Sequence, residues 1–258
     1  MLVDSHCHLE YEGLVEDQAG ALDRAREAGV QSFLNISTKQ AEWAQVVGTA
    51  RATPDVYASV GIHPHNADDH VDLTREELRA AIDEPKVIGI GETGLDYYYD
   101  HSDREAQQRL FRLHIDVARE VQLPVIIHTR DAEDDTLAIL QDEMGKGAFP
   151  ALIHCFTASA DFGRAVLDLG LSVSISGIVT FKSARDLQEF AREIPRDRLL
   201  VETDSPFLAP VPHRGKPCEP GYVRDTARFL ADLRDESLEE LADYTTRNFH
   251  SLFAKASA

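Results

Sequence analysis

Eight short apolar runs recur along the chain, each followed by a stretch with helical periodicity, and this alternation constrains the fold more than any other feature. A strand–helix repeat of this kind predicts successive βα units around a parallel sheet. The runs are Leu2–His6, Gln31–Ile36, Val56–Ile62, Val87–Gly91, Val125–His128, Ala151–Cys155, Ser172–Ser176 and Leu199–Glu202. Several are rich in Val and Ile without clean alternation, as parallel strands buried on both faces require. Helices are expected over Ala19–Ala28, Gln40–Arg51, Thr74–Ile82, Asp103–Val121, Asp131–Glu143, Ala160–Leu169 and Ala184–Arg192, with Gly29 and Gly170 as C-terminal caps. A Pro- and Gly-rich loop follows the eighth run, and two helices, about Tyr222–Leu233 and Leu238–Phe253, complete the chain. No composition break divides it. The expected fold is an α/β protein, a single-domain (β/α)8 TIM barrel over residues 1–258.

The polar residues fall where such a barrel does chemistry. His6 and His8 end the first run, His63 and His65 the third, Glu92 the fourth, His128 the fifth and His154 the sixth, while Asp204 follows the eighth. In a (β/α)8 barrel the C-terminal strand ends surround one mouth, so residues far apart in sequence converge there. One such His alone reads as a structural residue; six coincidences at one face read as a site. His6 and His8, two apart on a strand, face the same side, and Cys7 faces the other. Four imidazoles (His6, His8, His128, His154) with two carboxylates (Glu92, Asp204) can supply a binuclear centre. That donor set suits two divalent ions of the Zn or Mn type better than an all-oxygen Mg site. Glu92 is expected to bridge them, with a shared hydroxide as nucleophile.

Charge and cysteine usage narrow the remaining possibilities. The 258 residues carry a formal net charge of −19, which argues against extended electrostatic binding along duplex DNA. A nucleic-acid substrate is therefore expected at a local site such as a strand end. Three cysteines make no disulfide framework and suit a reducing compartment. No apolar stretch approaches the ~20 residues of a membrane span, and no signal peptide is visible, so a cytoplasmic protein is expected. Nothing in the sequence calls for an obligate protein partner.

At these residues the chain resembles the TatD family of metal-dependent DNases within the amidohydrolase-like barrels. The matching segments are Asp4-Ser5-His6-Cys7-His8-Leu9, Gly61-Ile62-His63-Pro64-His65, Gly89 through Tyr97, His128-Thr129-Arg130-Asp131-Ala132, His154-Cys155-Phe156-Thr157 and Glu202 through Leu208. Arg214-Gly215-Lys216-Pro217 and Thr246-Arg247-Asn248 complete the set. The resemblance implies one metal held by His6, His8, Glu92 and Asp204 and a second held by Glu92, His128 and His154. It also implies 3′-to-5′ exonuclease or phosphodiesterase activity on DNA, and in some members RNA, with Mg or other divalent ions. Some members deacylate D-aminoacyl-tRNA. Two departures are visible: Cys218 where the family usually has Asn, which bears on substrate preference, and Asp103 where Pro is common, a harmless helix-start change.

Asp204 is expected to serve as general base and acid, or as a ligand alone. At least one of Asp4 and Glu202 is expected to orient a ligand imidazole, the alternative being a buried polar pair without catalytic effect. His63, Arg130 and, behind them, His65 are the candidates for binding phosphate, Arg130 through its fork of donors; an ion pair from Arg130 to Asp131 or Asp134 is the alternative. Tyr97 is a candidate for stacking on a terminal base. Cys7 and Cys155 are expected to point into the helix layer as small apolar fillers. The expected function is a metal-dependent exodeoxyribonuclease or phosphodiesterase. An ester or amide hydrolase such as a D-aminoacyl-tRNA deacylase is the alternative with the same site, and a non-catalytic metal-binding scaffold is a third.

Overall fold

A computed structural model describes residues 1–257. Eight strands run parallel in sequence order: β1 (Leu2–Cys7), β2 (Val30–Asn35), β3 (Val56–Val60), β4 (Val87–Asp96), β5 (Val125–Arg130), β6 (Ala151–Ile153), β7 (Ser172–Ile175) and β8 (Leu199–Val201). Between them lie α1 (Gln18–Glu27), α2 (Trp43–Ala52), α3 (Arg75–Ile82), α4 (Arg104–Val121), α5 (Glu133–Lys146), α6 (Ala160–Asp168) and α7 (Arg185–Glu193). After β8 come α8 (Val223–Leu233) and α9 (Leu238–Leu252). The molecule is the expected (β/α)8 barrel. Among the described residues no helix is long and apolar enough to cross a membrane.

The helix ends follow local chemistry. Gly29 and Gly170 take φ of +92° and +81° just past α1 and α6, the left-handed cap that glycine adopts without steric cost. Thr74 and Ser237 close reciprocal capping boxes with Glu77 and Glu240 ahead of α3 and α9. Asp103 caps α4 by accepting from the backbone N–H groups of Glu105 and Ala106, so the residue that stands where Pro is common starts the helix equally well.

Two apolar layers hold the barrel. The larger fills the space between strands and helices. The smaller lies within the sheet and joins Val3, Leu34, Ile88, Ile126, Leu152 and Leu200, from six strands, to Phe249 and Phe253 at the end of the chain. These two rings plug the lumen, and truncating a buried Phe of this kind costs roughly 3–5 kcal/mol. Ile126 and His128, and likewise Leu152 and His154, are two apart, so apolar plug and imidazoles share one face of the sheet.

The fourth strand departs from expectation. It continues past Gly91 to Asp96, with a register irregularity against β5 between Ile90 and Thr93. Glycine makes this passage possible: a Cβ on Gly61 would lie 2.4 Å from Gly91 Cα, and one on Gly94 would lie 2.0 Å from the His128 carbonyl oxygen. Strands β3, β4 and β5 therefore crowd together, and Glu92 sits inside the lumen instead of at a strand end.

Candidate metal centre

The mouth of the barrel opens on a cavity of about 860 Å³ that contains His8, His63, His65, Glu92, His128, His154 and Asp204. His6 lies beneath it, fully buried. The seam between β1 and the segment after β8 fixes three of these groups. The Asp204 N–H donates to His6 O at 3.0 Å and the His8 N–H donates to Ser205 O at 2.8 Å. Asp204 itself has φ of +58°, a left-handed turn that Asp tolerates better than most residues.

Four donor atoms from three elements converge at this seam. His6 Nε2 and His8 Nε2 are 3.3 Å apart. Asp204 Oδ1 lies 3.6 Å from the first and 3.4 Å from the second; Glu92 Oε2 lies 3.4 and 3.9 Å from them. Ligand atoms about 2.0–2.2 Å from a shared ion stand roughly 3.3–3.6 Å apart at tetrahedral angles. The spacing, and the presence of two imidazoles with two carboxylates, fit a divalent cation.

The other oxygen of Glu92 gathers a second group. Its Oε1 is 2.7 Å from His154 Nε2, 3.0 Å from His128 Nδ1 and 3.4 Å from His63 Nε2. Burial alone would raise the Glu92 carboxyl, but His154, His63 and His128 hold it well below the usual carboxylate range. Asp204 is also held low, because the His8 and His6 imidazoles outweigh its desolvation. The buried His6 Nδ1 has no hydrogen-bond partner within the chain, and although both His154 nitrogens lie near carboxylate oxygens, neither meets one at hydrogen-bonding angles. Orphaned imidazole nitrogens around a charged carboxylate are a second sign of a cation site.

Hydrogen bonds at the far side of each ring sort the histidines. His8 Nδ1 lies 3.3 Å from Ile36 O and can only donate to a carbonyl, which turns Nε2 toward the carboxylates. His128 donates through Nε2 to Asp96 Oδ2 at 3.0 Å, which turns Nδ1 toward Glu92. His63 is the opposite case. Its Nδ1 accepts the His65 backbone N–H at 3.1 Å, and burial pushes the ring down to about 4, so the neutral ring carries its proton on Nε2. Against burial, the neighbouring carboxylates raise both the His8 and the His128 ring, so an ion would meet lone pairs on His8 Nε2 and His128 Nδ1 only by displacing a proton, whereas His63 presents a donor.

Around this core the structure corrects several expectations. Glu202 stands 3.4 Å from His154 Nδ1 and accepts a hydrogen bond from Ser174, as a residue orienting an imidazole would. Asp4 does not reach an imidazole; its carboxylate accepts from Thr203 N–H at 2.9 Å and Thr203 Oγ1 at 2.6 Å across the barrel seam. Cys7 faces the core as expected, but Cys155 has φ of +44°, contacts Ser176 Oγ at 3.2 Å and lines the cavity instead of the helix layer. Tyr97 points away from the mouth, with its hydroxyl on Asp135 at 2.7 Å. Arg130 lines the cavity and stacks over Tyr98 and Tyr99 at 4.0 and 4.8 Å; among the described residues no carboxylate pairs with it, so the expected alternatives at Asp131 and Asp134 do not form. Cys218 is buried beneath the Pro-rich loop and is not among the cavity residues.

Residues 3–254 match the family model for TatD-related DNase. The chain belongs to the TatD family. Among TatD relatives, it is 46% identical over 255 residues to the uncharacterized metal-dependent hydrolase YcfH of Escherichia coli strain K12, covering 98% of this chain and 95% of that one. It is 34% identical over 261 residues to the 3′-5′ ssDNA/RNA exonuclease TatD of Pantoea vagans strain C9-1, covering 99% and 100%. The crystal structure of YJJV, a TatD homolog from E. coli K12, superposes with a TM-score of 0.91 at 28% identity over 98% of both chains. This TatD-family chain is therefore a metal-dependent hydrolase.

One residue at the TatD centre escaped sequence reasoning. Asp96 is fully buried and its Oδ2 accepts from both His65 Nε2 at 2.9 Å and His128 Nε2 at 3.0 Å. Its position at the end of a Gly-containing run that also carries Glu92 was the available signal. Among three-residue groups that could hold an ion, His6–His8–Glu92 contains three of the four residues of the expected first set, without Asp204, while His128 falls with His63 and Glu92, and His154 with His6 and Glu202.

Proposed function

We propose that this chain is a 3′-to-5′ exonuclease or phosphodiesterase acting on DNA ends, and on single-stranded RNA, with two divalent ions that share Glu92. His6, His8, Glu92 and Asp204 would hold one ion, and Glu92, His128 and His154 would hold the other. The observation that carries this reading is the sorting of the histidines, with His8 Nε2 and His128 Nδ1 turned toward Glu92 and Asp204 and a neutral N–H donor on His63 facing the same cavity. The name of the Pantoea relative supports the substrate class.

Bound divalent ions supply Lewis-acid polarisation of a phosphoryl oxygen and neutralise the charge that builds on it. The chain supplies the rest. His63 Nε2–H and the Arg130 guanidinium bind phosphate oxygens, the latter in a fork geometry, with His65 behind His63. Asp204 turns Oδ1 to His6 and His8; kept ionised, it takes the proton of the attacking water and returns it to the leaving oxygen. The three cysteines are unpaired, which suits a cytoplasmic protein.

The test is digestion of a 5′-labelled single strand by metal-stripped protein re-supplied with Mn, Zn or Mg, alongside Asp204→Asn. A ladder shortening from the 3′ end, dependent on metal and lost in the variant, is the expected result. Inert oligonucleotides combined with hydrolysis of an aminoacyl-tRNA ester would overturn the nuclease reading and leave the hydrolase standing.

A further inference from the structure

Apolar surface is concentrated at the rim of the cavity. Among the described residues, three of the seven exposed large apolar side chains, Tyr98, Tyr99 and Phe207, stand there, and Tyr99 and Phe207 line the cavity directly. Phe207 is 49% exposed and follows β8. Its ring meets Tyr11 edge-on at 6.1 Å, and Tyr11 stacks on His8 at 4.7 Å with its hydroxyl anchored to Thr38 Oγ1 at 2.7 Å. On the other side, Tyr99 is 48% exposed and stacks on His101 at 5.4 Å, with the Arg130 guanidinium over its ring.

These two aromatic faces belong to opposite parts of the barrel. Tyr11 and Phe207 follow β1 and β8; Tyr99 follows β4 and Arg130 ends β5. In an eight-stranded barrel with sequential order, the β8–β1 seam lies across the lumen from β4 and β5. Glu92 and its imidazoles lie between. Phe207 and Tyr99 each meet neighbours in the chain yet keep about half of their surface exposed on opposite sides of a charged centre, and π faces beside a guanidinium match nucleobases of any sequence.

We propose that the mouth is a two-base clamp: Phe207 with Tyr11 stacks one unpaired base, Tyr99 with Arg130 stacks another, and the scissile phosphodiester spans the centre between them. This rests on the nuclease reading and adds to it. The substrate must present two consecutive unpaired nucleotides, one on each side of the bond that breaks. A paired end has to fray by two positions before it fits, so single strands are preferred whether the sugar is deoxyribose or ribose.

The experiment uses the full chain loaded with Mn and a single strand whose last linkage is a slowly cleaved phosphorothioate, with 2-aminopurine at the terminal or the penultimate position. Stacking quenches its fluorescence, so binding and stacking are read without turnover. We expect quenching at both positions in the unaltered protein. Phe207→Ala should relieve it at one position only and Tyr99→Ala at the other only, each weakening binding by about 5- to 100-fold. Phe207→Trp should retain both quenching and affinity. Strands abasic at both positions that bind as tightly as the parent would overturn the clamp while leaving the nuclease reading intact. Failure of the unaltered protein to bind or cut any strand would overturn both.

Discussion

Asp96 and His128 meet at 3.0 Å, Oδ2 to Nε2, with the carboxylate fully buried at the end of β4. The same oxygen accepts from His65, while Oδ1 accepts the backbone N–H groups of Tyr98 and Tyr99, both at 3.0 Å. One carboxylate thus fixes an imidazole facing Glu92 and, through the backbone, the aromatic rim. Desolvation would raise Asp96, but the bonds from His128 and His65 hold it far below the usual range, so it stays an acceptor at every working pH.

Asp96→Asn should therefore weaken metal binding by about 10- to 100-fold, the usual scale for losing the outer partner of a ligand imidazole. Calorimetric titration with Mn or Zn checks this. An unchanged affinity would show that His128 needs no orienting carboxylate.

The histidine sorting predicts opposite outcomes at two neighbouring rings. His8→Ala should lower the bound metal from two ions to one per chain, measured by elemental analysis. His63→Ala should leave the metal content at two and lower kcat/KM by roughly 100-fold, within the range for loss of a positioned donor. His63→Gln, which restores an N–H donor, should recover part of the loss. Loss of an ion in His63→Ala would move this residue into the ligand set.

His114, in α4, predicts how stability responds to acid. Its Nδ1 donates to Leu110 O at 2.7 Å and its Nε2 accepts the Ile62 N–H at 3.1 Å, tying the helix to the end of β3 just before His63. Burial pushes this ring from 6.5 down to about 4. The unfolded chain takes up a proton near pH 6.5 and the folded chain waits until about pH 4. The contribution is complete above pH 6.5, declines as pH falls and levels off below about 4, a loss on the order of 3 kcal/mol. Denaturant titrations across this range should show a shallower slope in His114→Gln than in the parent; equal slopes would remove His114 from the acid response.

Two glycines should respond in opposite senses to Ala. Gly61→Ala places a Cβ 2.4 Å from Gly91 Cα, a backbone atom that cannot step aside, and should cost at least about 2 kcal/mol. Gly48, exposed within α2 with nothing inside 4 Å of the added carbon, should gain roughly 0.4–1 kcal/mol. Urea unfolding of both variants is sufficient to check the pair.

The sequence made the barrel legible because buried parallel strands leave continuous Val- and Ile-rich runs, and because His128 and His154 stand two residues beyond their lumen-facing apolar partners. Where those runs are interrupted, legibility failed. Glu92-Thr93-Gly94 breaks the apolar pattern, so β4 was cut short and Asp96 went unassigned, its partners His65 and His128 being 31 and 32 residues away. Tyr97 does not face the mouth because of how the chain leaves β4, which Asp96 decides by capturing the backbone N–H groups of Tyr98 and Tyr99. Cys155 was misplaced for a similar reason: strand parity predicts its direction only while the chain is extended, and at φ of +44° it is not. Of the six expected ligand positions, His6, His8, His128, His154 and Asp204 stand on or just beyond strand ends as expected, whereas Glu92 lies within β4 at its register irregularity.

The seam that joins His6 and His8 to Asp204 and Ser205 also sets a schedule. Thr203 and Asp4, which lock the same seam, are 199 residues apart in the chain. As the polypeptide emerges from the ribosome, β1 through β7 can pair in turn, yet the pocket of His6, His8 and Asp204 cannot exist until the last strand arrives. An unfinished or prematurely terminated chain therefore lacks this part of the centre, however well its earlier helices are formed. An ion bound at this position would mark a chain whose last strand has joined its first, and a hydrolase assembled this way is silent until β8 has been made.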